Sequence, residues 1–478
     1  MDHSEIEQNY GTWRSPITAT LTASGLVNFS ELRESEYGLL WIEQRPFENG
    51  RSVLVVETRN ARQDLTPSPY SVRSRVHEYG GGAYCVADDG VFFVNAIDQN
   101  VYGCSLLEGS TEVTQLTAGD DNVRYADLTW DSGRNMLIAV RETHEAGSEA
   151  VNELVAIDCV TAEANVLHAG HDFYSSPRLS NDAERLAFLV WDHPNMPWDG
   201  NQLFVATLNT TGNIVAETLV AGGVAESVFQ PEWITPERLI FVSDANGYWN
   251  LYSYDSSGIY CVNADTAEYG AAQWAFGMRT YIPISERLVV ANRIDNGVAA
   301  LVFVDIDNGM VTPLENRFSS YACLNRTAMG IAFVAGKPDD LQTVVRMDLS
   351  NAEVTKIATQ GTLDIDPDYF SIPEQIVYDN ADGLETFAYF YPPRHPSAAG
   401  PVIQKPPLLV LSHGGPTGHA GRDLNFRIQY YTSRGWAVVD VDYGGSTGYG
   451  RAYRQRLDDR WGIGDVADCV AAVNYLIS

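Results

Sequence analysis

Short apolar runs recur at a regular spacing over more than 300 residues of this chain. They include Leu39-Leu40-Trp41-Ile42, Ser52-Val53-Leu54-Val55-Val56, Gly90-Val91-Phe92-Phe93-Val94 and Met136-Leu137-Ile138-Ala139-Val140. Leu186-Ala187-Phe188-Leu189-Val190, Leu239-Ile240-Phe241-Val242, Leu288-Val289-Val290-Ala291 and Ile331-Ala332-Phe333-Val334 continue the series. β-Branched and aromatic residues bounded by Gly, Asn, Asp and Pro make strands ended by turns. The first two runs share a repeat. The repeat leaders recur about every 45–50 residues, the period of a four-stranded propeller blade. Dividing residues 29–371 by that period predicts seven blades. Pro177-Arg178-Leu179-Ser180 and Pro231-Glu232-Trp233-Ile234 read as equivalent blade openings. One or two large β-sandwiches are the alternative, but regular spacing favours blades, each burying its faces against two neighbours.

After about Pro373 the pattern changes. Gln375-Ile376-Val377-Tyr378 and Thr386-Phe387-Ala388-Tyr389-Phe390-Tyr391 read as paired antiparallel strands, followed by a Pro-rich linker over 392–407. Leu408-Leu409-Val410-Leu411 and Trp436-Ala437-Val438-Val439-Asp440-Val441 read as buried parallel strands. Between them Asp423 is expected to cap a helix carrying Leu424, Ile428 and Tyr431 on one face, ended by Gly435. Val466, Val470, Val473 and Ile477 mark a last helix. The alternation of strand and helix is an α/β unit. The division expected is an N-terminal segment over 1–28, a β-propeller over 29–371 and an α/β domain over 372–478. The strand over 436–441 is expected to form an unpaired apolar sheet edge, leading to self-association or to partial disorder beyond about Pro392.

Composition narrows the function classes. Against 62 Asp and Glu stand 31 Lys and Arg, a formal net charge of −31 that repels phosphates and disfavours nucleic acid or anionic membranes as partners. The six scattered cysteines form no CxxC pair and are expected to be reduced and buried. Cys and His show no metal-ligand spacing, and no cofactor is expected. The polar, acidic start lacks the pattern of a signal peptide, and no apolar run reaches the ~18 residues a membrane span needs. A cytoplasmic location is expected.

His413-Gly414-Gly415-Pro416 directly follows the Leu408 strand. Two glycines there allow a sharp turn and unobstructed N–H groups, as an oxyanion hole requires. On the tetrapeptide alone, a plain strand-to-helix turn is as good a reading. Longer motifs decide between them. Leu411–Thr417, Tyr430–Val439, Tyr443-Gly444-Gly445-Ser446-Thr447-Gly448-Tyr449-Gly450, Arg460-Trp461-Gly462 and Asp465–Cys469 closely resemble the acylaminoacyl-peptidase branch of the prolyl oligopeptidase family of serine peptidases, a dipeptidyl-peptidase-like group. Upstream, Tyr10–Trp13, Arg75-Val76-His77-Glu78-Tyr79-Gly80-Gly81-Gly82-Ala83-Tyr84 and Trp191–Asp199 are similar to its bacterial members. Gly444 departs from the pattern, since many relatives carry Arg there.

The resemblance implies a propeller lid over an α/β-hydrolase domain with a Ser-Asp-His triad in that chain order. It implies an oxyanion hole at Gly414 and Gly415, substrate contacts from His413 and Tyr449, and short peptide or acyl-peptide substrates. The triad serine is expected in a G-x-S-x-G elbow beyond the last helix, so residues 1–478 are expected to hold an incomplete hydrolase domain, inactive by itself. Gly444-Gly445-Ser446-Thr447-Gly448 also fits G-x-S-x-G, but it comes too early, and no histidine follows His419. It reads as a rim loop. His77-Glu78 reads as a blade-edge or inter-domain contact and Trp191–Asp199 as an ordered loop. The rival functions are a non-catalytic propeller binding protein or pseudoenzyme, and an esterase of the same fold. Homo-oligomerisation is left open.

Overall fold

The computed structural model describes residues 6–58, 61–107, 112–120, 122–314 and 317–478. The first five residues of the expected N-terminal segment lie outside the described residues. Seven four-stranded antiparallel sheets follow one another in the chain, each with its strands paired in sequence order. Their first strands are Asn28–Ser35, Tyr84–Val86, Val123–Asp131, Phe173–Leu179, Val228–Trp233, Tyr281–Pro283 and Ser320–Thr327. Both expected blade openings fall on such first strands. The apolar leaders form the second strands: Gly38–Arg45, Gly90–Val94, Met136–Thr143, Arg185–Trp191, Leu239–Ser243, Leu288–Asp295 and Gly330–Gly336. A second strand is hydrogen-bonded on both sides and covered on both faces, so its inward and outward side chains are both apolar. Every residue of Leu239–Ser243 and of Gly330–Gly336 is buried.

The last sheet returns to the first. Asn325 donates to Leu32 O at 2.9 Å and accepts from Glu34 N at 3.2 Å, while Phe29, Leu32 and Trp41 pack with Ala332, Val334 and Val344. The arrangement is consistent with a β-propeller. Five first strands carry a bulge whose residue has positive φ: Glu31, Asp127, Ser176, Gln230 and Cys323. Bulges re-aim side chains, and here they converge polar groups. Asp127 pairs with Arg178 at 3.0 Å and accepts from Ser176 N at 2.7 Å.

The C-terminal sheet comprises β1 (Glu374–Asp379), β2 (Glu385–Tyr391), β3 (Leu408–Ser412) and β4 (Ala437–Asp442), in the order β1-β2-β4-β3. β1 and β2 are antiparallel, and β3 pairs parallel with β4, as expected. The edge does not fall where the sequence suggested. β4 lies between β2 and β3, with Ala437, Val438, Val439 and Val441 all buried, and β3 is an edge.

Helix α1 (Phe426–Thr432) is capped by Asn425, whose side chain accepts from Arg427 N, and not by Asp423. Asp423 instead accepts from Ser319 and Ser320, each at 2.6 Å, and from Gln342 at 3.0 Å. Three donors from the last propeller sheet outcompete a cap that supplies one. Helix α2 (Gly464–Ile477) packs through Asp468 and Ala472. Its stripe of Val466, Val470 and Ile477 is more than half exposed, rising beside edge strand β3 instead of facing the core. The cysteines are all free, but Cys261 is exposed, contrary to expectation.

The N-terminal segment lies on the C-terminal domain. Ile6 and Glu7 pair in parallel with Ala398 and Ala399, and Arg434 donates to Ile17 O at 2.9 Å. The propeller meets the same domain through buried charge. Asp244 receives both Arg451 and Arg454 at 2.7 Å, and Glu268 accepts from Gly448 N at 2.6 Å.

Candidate active site

The loop after β3 turns because Gly415 adopts φ +119°, a backbone region that other residues rarely enter. Its far side is pinned. Trp274 of the propeller donates to Thr417 O at 2.6 Å, Thr447 N donates to Gly418 O at 2.7 Å, and Ala420 N donates to Asp442 at 2.6 Å. Before these anchors, among the described residues, neither Gly414 N nor Gly415 N donates a hydrogen bond. Both glycines are exposed, and a Cβ on Gly414 would meet nothing within 4 Å. The loop therefore holds two exposed backbone N–H groups without a hydrogen-bond partner, next to a pinned segment.

His413 stacks on Tyr443 with ring centroids 4.6 Å apart, and Tyr443 donates to His413 O at 2.9 Å. The same imidazole Nε2 lies 2.7 Å from Ser446 Oγ and 3.8 Å from Asp442 Oδ1. Ser, His and Asp thus come together, yet the arrangement is not a triad. A triad uses one ring nitrogen for the serine and the other for the carboxylate, whereas here Nδ1 faces Gly414 O at 3.1 Å. Ser446 Oγ also lies 2.7 Å from Tyr443 O, so its hydroxyl is held between a backbone carbonyl and the imidazole. It also has no exposed surface. Ser446 fixes the rim loop.

Tyr449 is buried, stacked on Phe387 at 4.4 Å, and donates to Asp442 at 2.6 Å. Burial pushes the Asp442 carboxyl up to about 7, against the pull of Tyr449 and Ala420. Gly444 N donates to Asp468 at 2.8 Å, and a Cβ there would press on Arg456 Cβ at 2.9 Å. A longer side chain at 444 would need Arg456 to move.

An aromatic cavity of about 360 Å³ flanks the loop. Phe173, Trp191, Trp198, Trp274 and Phe276 supply its apolar walls, and His77, Glu78, Glu142 and His144 its polar ones. Trp274 connects cavity and loop, since its ring would lie 3.5 Å from a Cβ on Gly415 and packs tilted against Trp198 with centroids 4.3 Å apart. Arg124 bridges Glu78 at 2.8 Å and Glu142 at 3.1 Å. His77 Nε2 is sealed from solvent without a hydrogen-bond partner, and burial lowers the imidazole to about 4. The His77-Glu78 pair and the Trp191–Asp199 loop thus reach one cavity. Sequence reasoning missed Trp274. The signal was a tryptophan between Gly270 and Gly277, in a stretch with no strand pattern.

The profile of the prolyl oligopeptidase family matches residues 422–478. A puromycin-hydrolyzing peptidase of Mycobacterium tuberculosis is 33% identical, with a TM-score of 0.92 over 98% of this chain and 74% of its own. The chain belongs to the prolyl oligopeptidase family. A solved puromycin hydrolase is 32% identical over the same shares, with a TM-score of 0.91. An acylaminoacyl peptidase of Pyrococcus horikoshii, at 14% identity and TM-score 0.67, shares the fold. Among curated family relatives, an uncharacterized peptidase of Bacillus subtilis is 25% identical over 185 residues, which are 38% of this chain and 27% of that protein. The acylamino-acid-releasing enzyme of Arabidopsis thaliana is 35% identical over 71 residues, 15% of this chain and 9% of that enzyme.

Proposed function

We propose that this chain forms the propeller and the first part of the α/β-hydrolase domain of a serine peptidase acting on short peptides or acyl-peptides. The observation that carries this reading is the pair of free N–H donors at Gly414 and Gly415, held beside an aromatic cavity by Trp274. Acyl transfer to a serine puts negative charge on the carbonyl oxygen, and two preorganised donors stabilise it. The cavity beside them takes an apolar side chain of the peptide. His413 shapes the loop, and Tyr449 acts on substrate only through the strand end and rim loop that it braces.

The seven sheets are read as seven blades of one closed ring, supported by the Asn325 clamp between last and first. The similar puromycin-hydrolyzing peptidase and acylamino-acid-releasing enzyme support the reaction class. A puromycin hydrolase mutant solved in complex with PGG supports a peptide-like ligand. The reading places the nucleophile, its base and the orienting acid outside residues 1–478, because Ser446 is buried and committed. Residues 1–478 alone are then inactive. Six free thiols suit a reducing cytoplasm.

The test is turnover by the full-length protein of aminoacyl anilides against simple esters of matched size. Faster cleavage of the anilides supports the peptidase. Turnover of esters alone moves the assignment to an esterase, and turnover of neither to a binding protein.

A further inference from the structure

A second cavity, of about 370 Å³, lies between the propeller and the segment 419–423 that continues the donor loop. Its lining is unusual for a chain with twice as many acidic as basic residues. Arg279 enters from the propeller and Arg422 from the hydrolase domain. Among the described residues Arg422 has no hydrogen bond or ion pair, and its guanidinium lies only over the Tyr389 ring at 5.8 Å. Arg279 has Glu232 as its nearest carboxylate, at 3.6 Å, too far for a hydrogen bond. The Nε atoms of both arginines, and Asn292 Oδ1 on the same wall, are sealed from solvent and unpartnered. Among the described lining residues Asp423 is the one carboxylate, and Ser319, Ser320 and Gln342 already occupy it. His419 faces the same chamber, hydrogen-bonded to Thr447 at 3.1 Å.

Both arginines are partly exposed, and Arg279 is ion-paired with Glu232, but a sealed Nε–H without an acceptor costs free energy in each. Two such unmet donors on one chamber, with Arg422 lacking any ion pair, form a site that an anion from outside the chain would complete. We propose that Arg279 and Arg422 bind a free carboxylate, the C-terminus of a short peptide. A carboxylate matches the planar guanidinium fork, and its single charge tolerates the neighbouring Asp423 and Glu232 better than a phosphate dianion would. Arg422 is eight residues from Gly414, so the chain between them spans at most roughly 28 Å. An extended peptide of about eight residues is therefore long enough to span the donor loop and the anchor. The site thus adds an end-group requirement to the peptidase reading, on which the identity of the bound molecule rests.

The experiment uses full-length protein and one short peptide in three forms: free acid, C-terminal amide, and an amide whose last residue is Glu. A kcat/KM at least tenfold higher for the acid than for either amide is expected, mainly through KM. Equal values, or preference for the Glu amide, would overturn the proposal. In Arg279→Met and Arg422→Met the acid-to-amide ratio is expected to fall to within twofold of one. Because it is a ratio within each variant, partial unfolding does not alter it, and an unchanged ratio would overturn the assignment. Calorimetric titration with triglycine and triglycine amide reads the anchor without catalysis. If no peptide is cleaved, the peptidase reading fails, while tighter binding of triglycine than of its amide still upholds the carboxylate site and equal binding removes it.

Discussion

Asp442 shows how much of this site is held by single buried contacts. Its oxygens accept from Tyr449 and from Ala420 N, each at 2.6 Å, so one carboxylate ties the rim loop to the donor loop. Burial raises its folded pKa to about 7 from the ordinary 3.8. A raised carboxyl contributes stability that is fully present below about pH 4 and is lost as pH rises through 7. Tyr449→Phe removes the donor that offsets this loss. It is expected to cost about 1–3 kcal/mol in urea unfolding at pH 8. The cost should be smaller at pH 5, where Asp442 is protonated. Gly415 acts differently. At φ +119° an alanine would have to rotate the peptide and re-aim its N–H. Gly415→Ala in the full-length protein is expected to lower kcat by about 10²–10³-fold with a lesser change in KM, measured on an anilide substrate.

At the scale of elements, the first strands close the ring. Asn325 bridges Ser320–Thr327 to Asn28–Ser35 with both ends of its amide. Asn325→Ala leaves Glu34 N unpaired and Leu32 O with Arg33 as its remaining donor, at an expected cost of about 1–3 kcal/mol. Equilibrium urea unfolding of the variant against the parent checks this. The second strands were legible in the sequence because burial on both faces leaves continuous apolar runs. The bulged first strands were harder, since residues such as Glu31 and Asp127 are polar where a strand core would be apolar. The donor loop was readable from its glycines. Its surroundings were not, because Trp274, Arg279 and Asp423 are brought to it by long-range contacts. The misassigned cap has the same origin: Asp423 looks like a helix start locally, but its partners lie some hundred residues away in the propeller.

At the scale of the whole molecule, the two domains meet through buried ionisable groups. Glu268 is raised by burial to about 7 and touches Gly448 N on the rim loop. Its folded pKa exceeds its ordinary 4.5, so its contribution to stability is present below about 4.5 and lost as pH rises through 7. Glu268→Gln keeps an acceptor for Gly448 but cannot ionise. The fall in melting temperature between pH 5 and pH 8 is expected to be shallower in this variant than in the parent.

The central claim, that Gly414 and Gly415 serve a nucleophile other than Ser446, has a direct test. Full-length protein is treated with a fluorophosphonate that forms a covalent adduct with activated serines, and the labelled peptide is sequenced by mass spectrometry. The account expects one labelled serine, outside residues 1–478, with labelling weakened in Gly415→Ala. A label on Ser446, or folded protein that takes none, would contradict it.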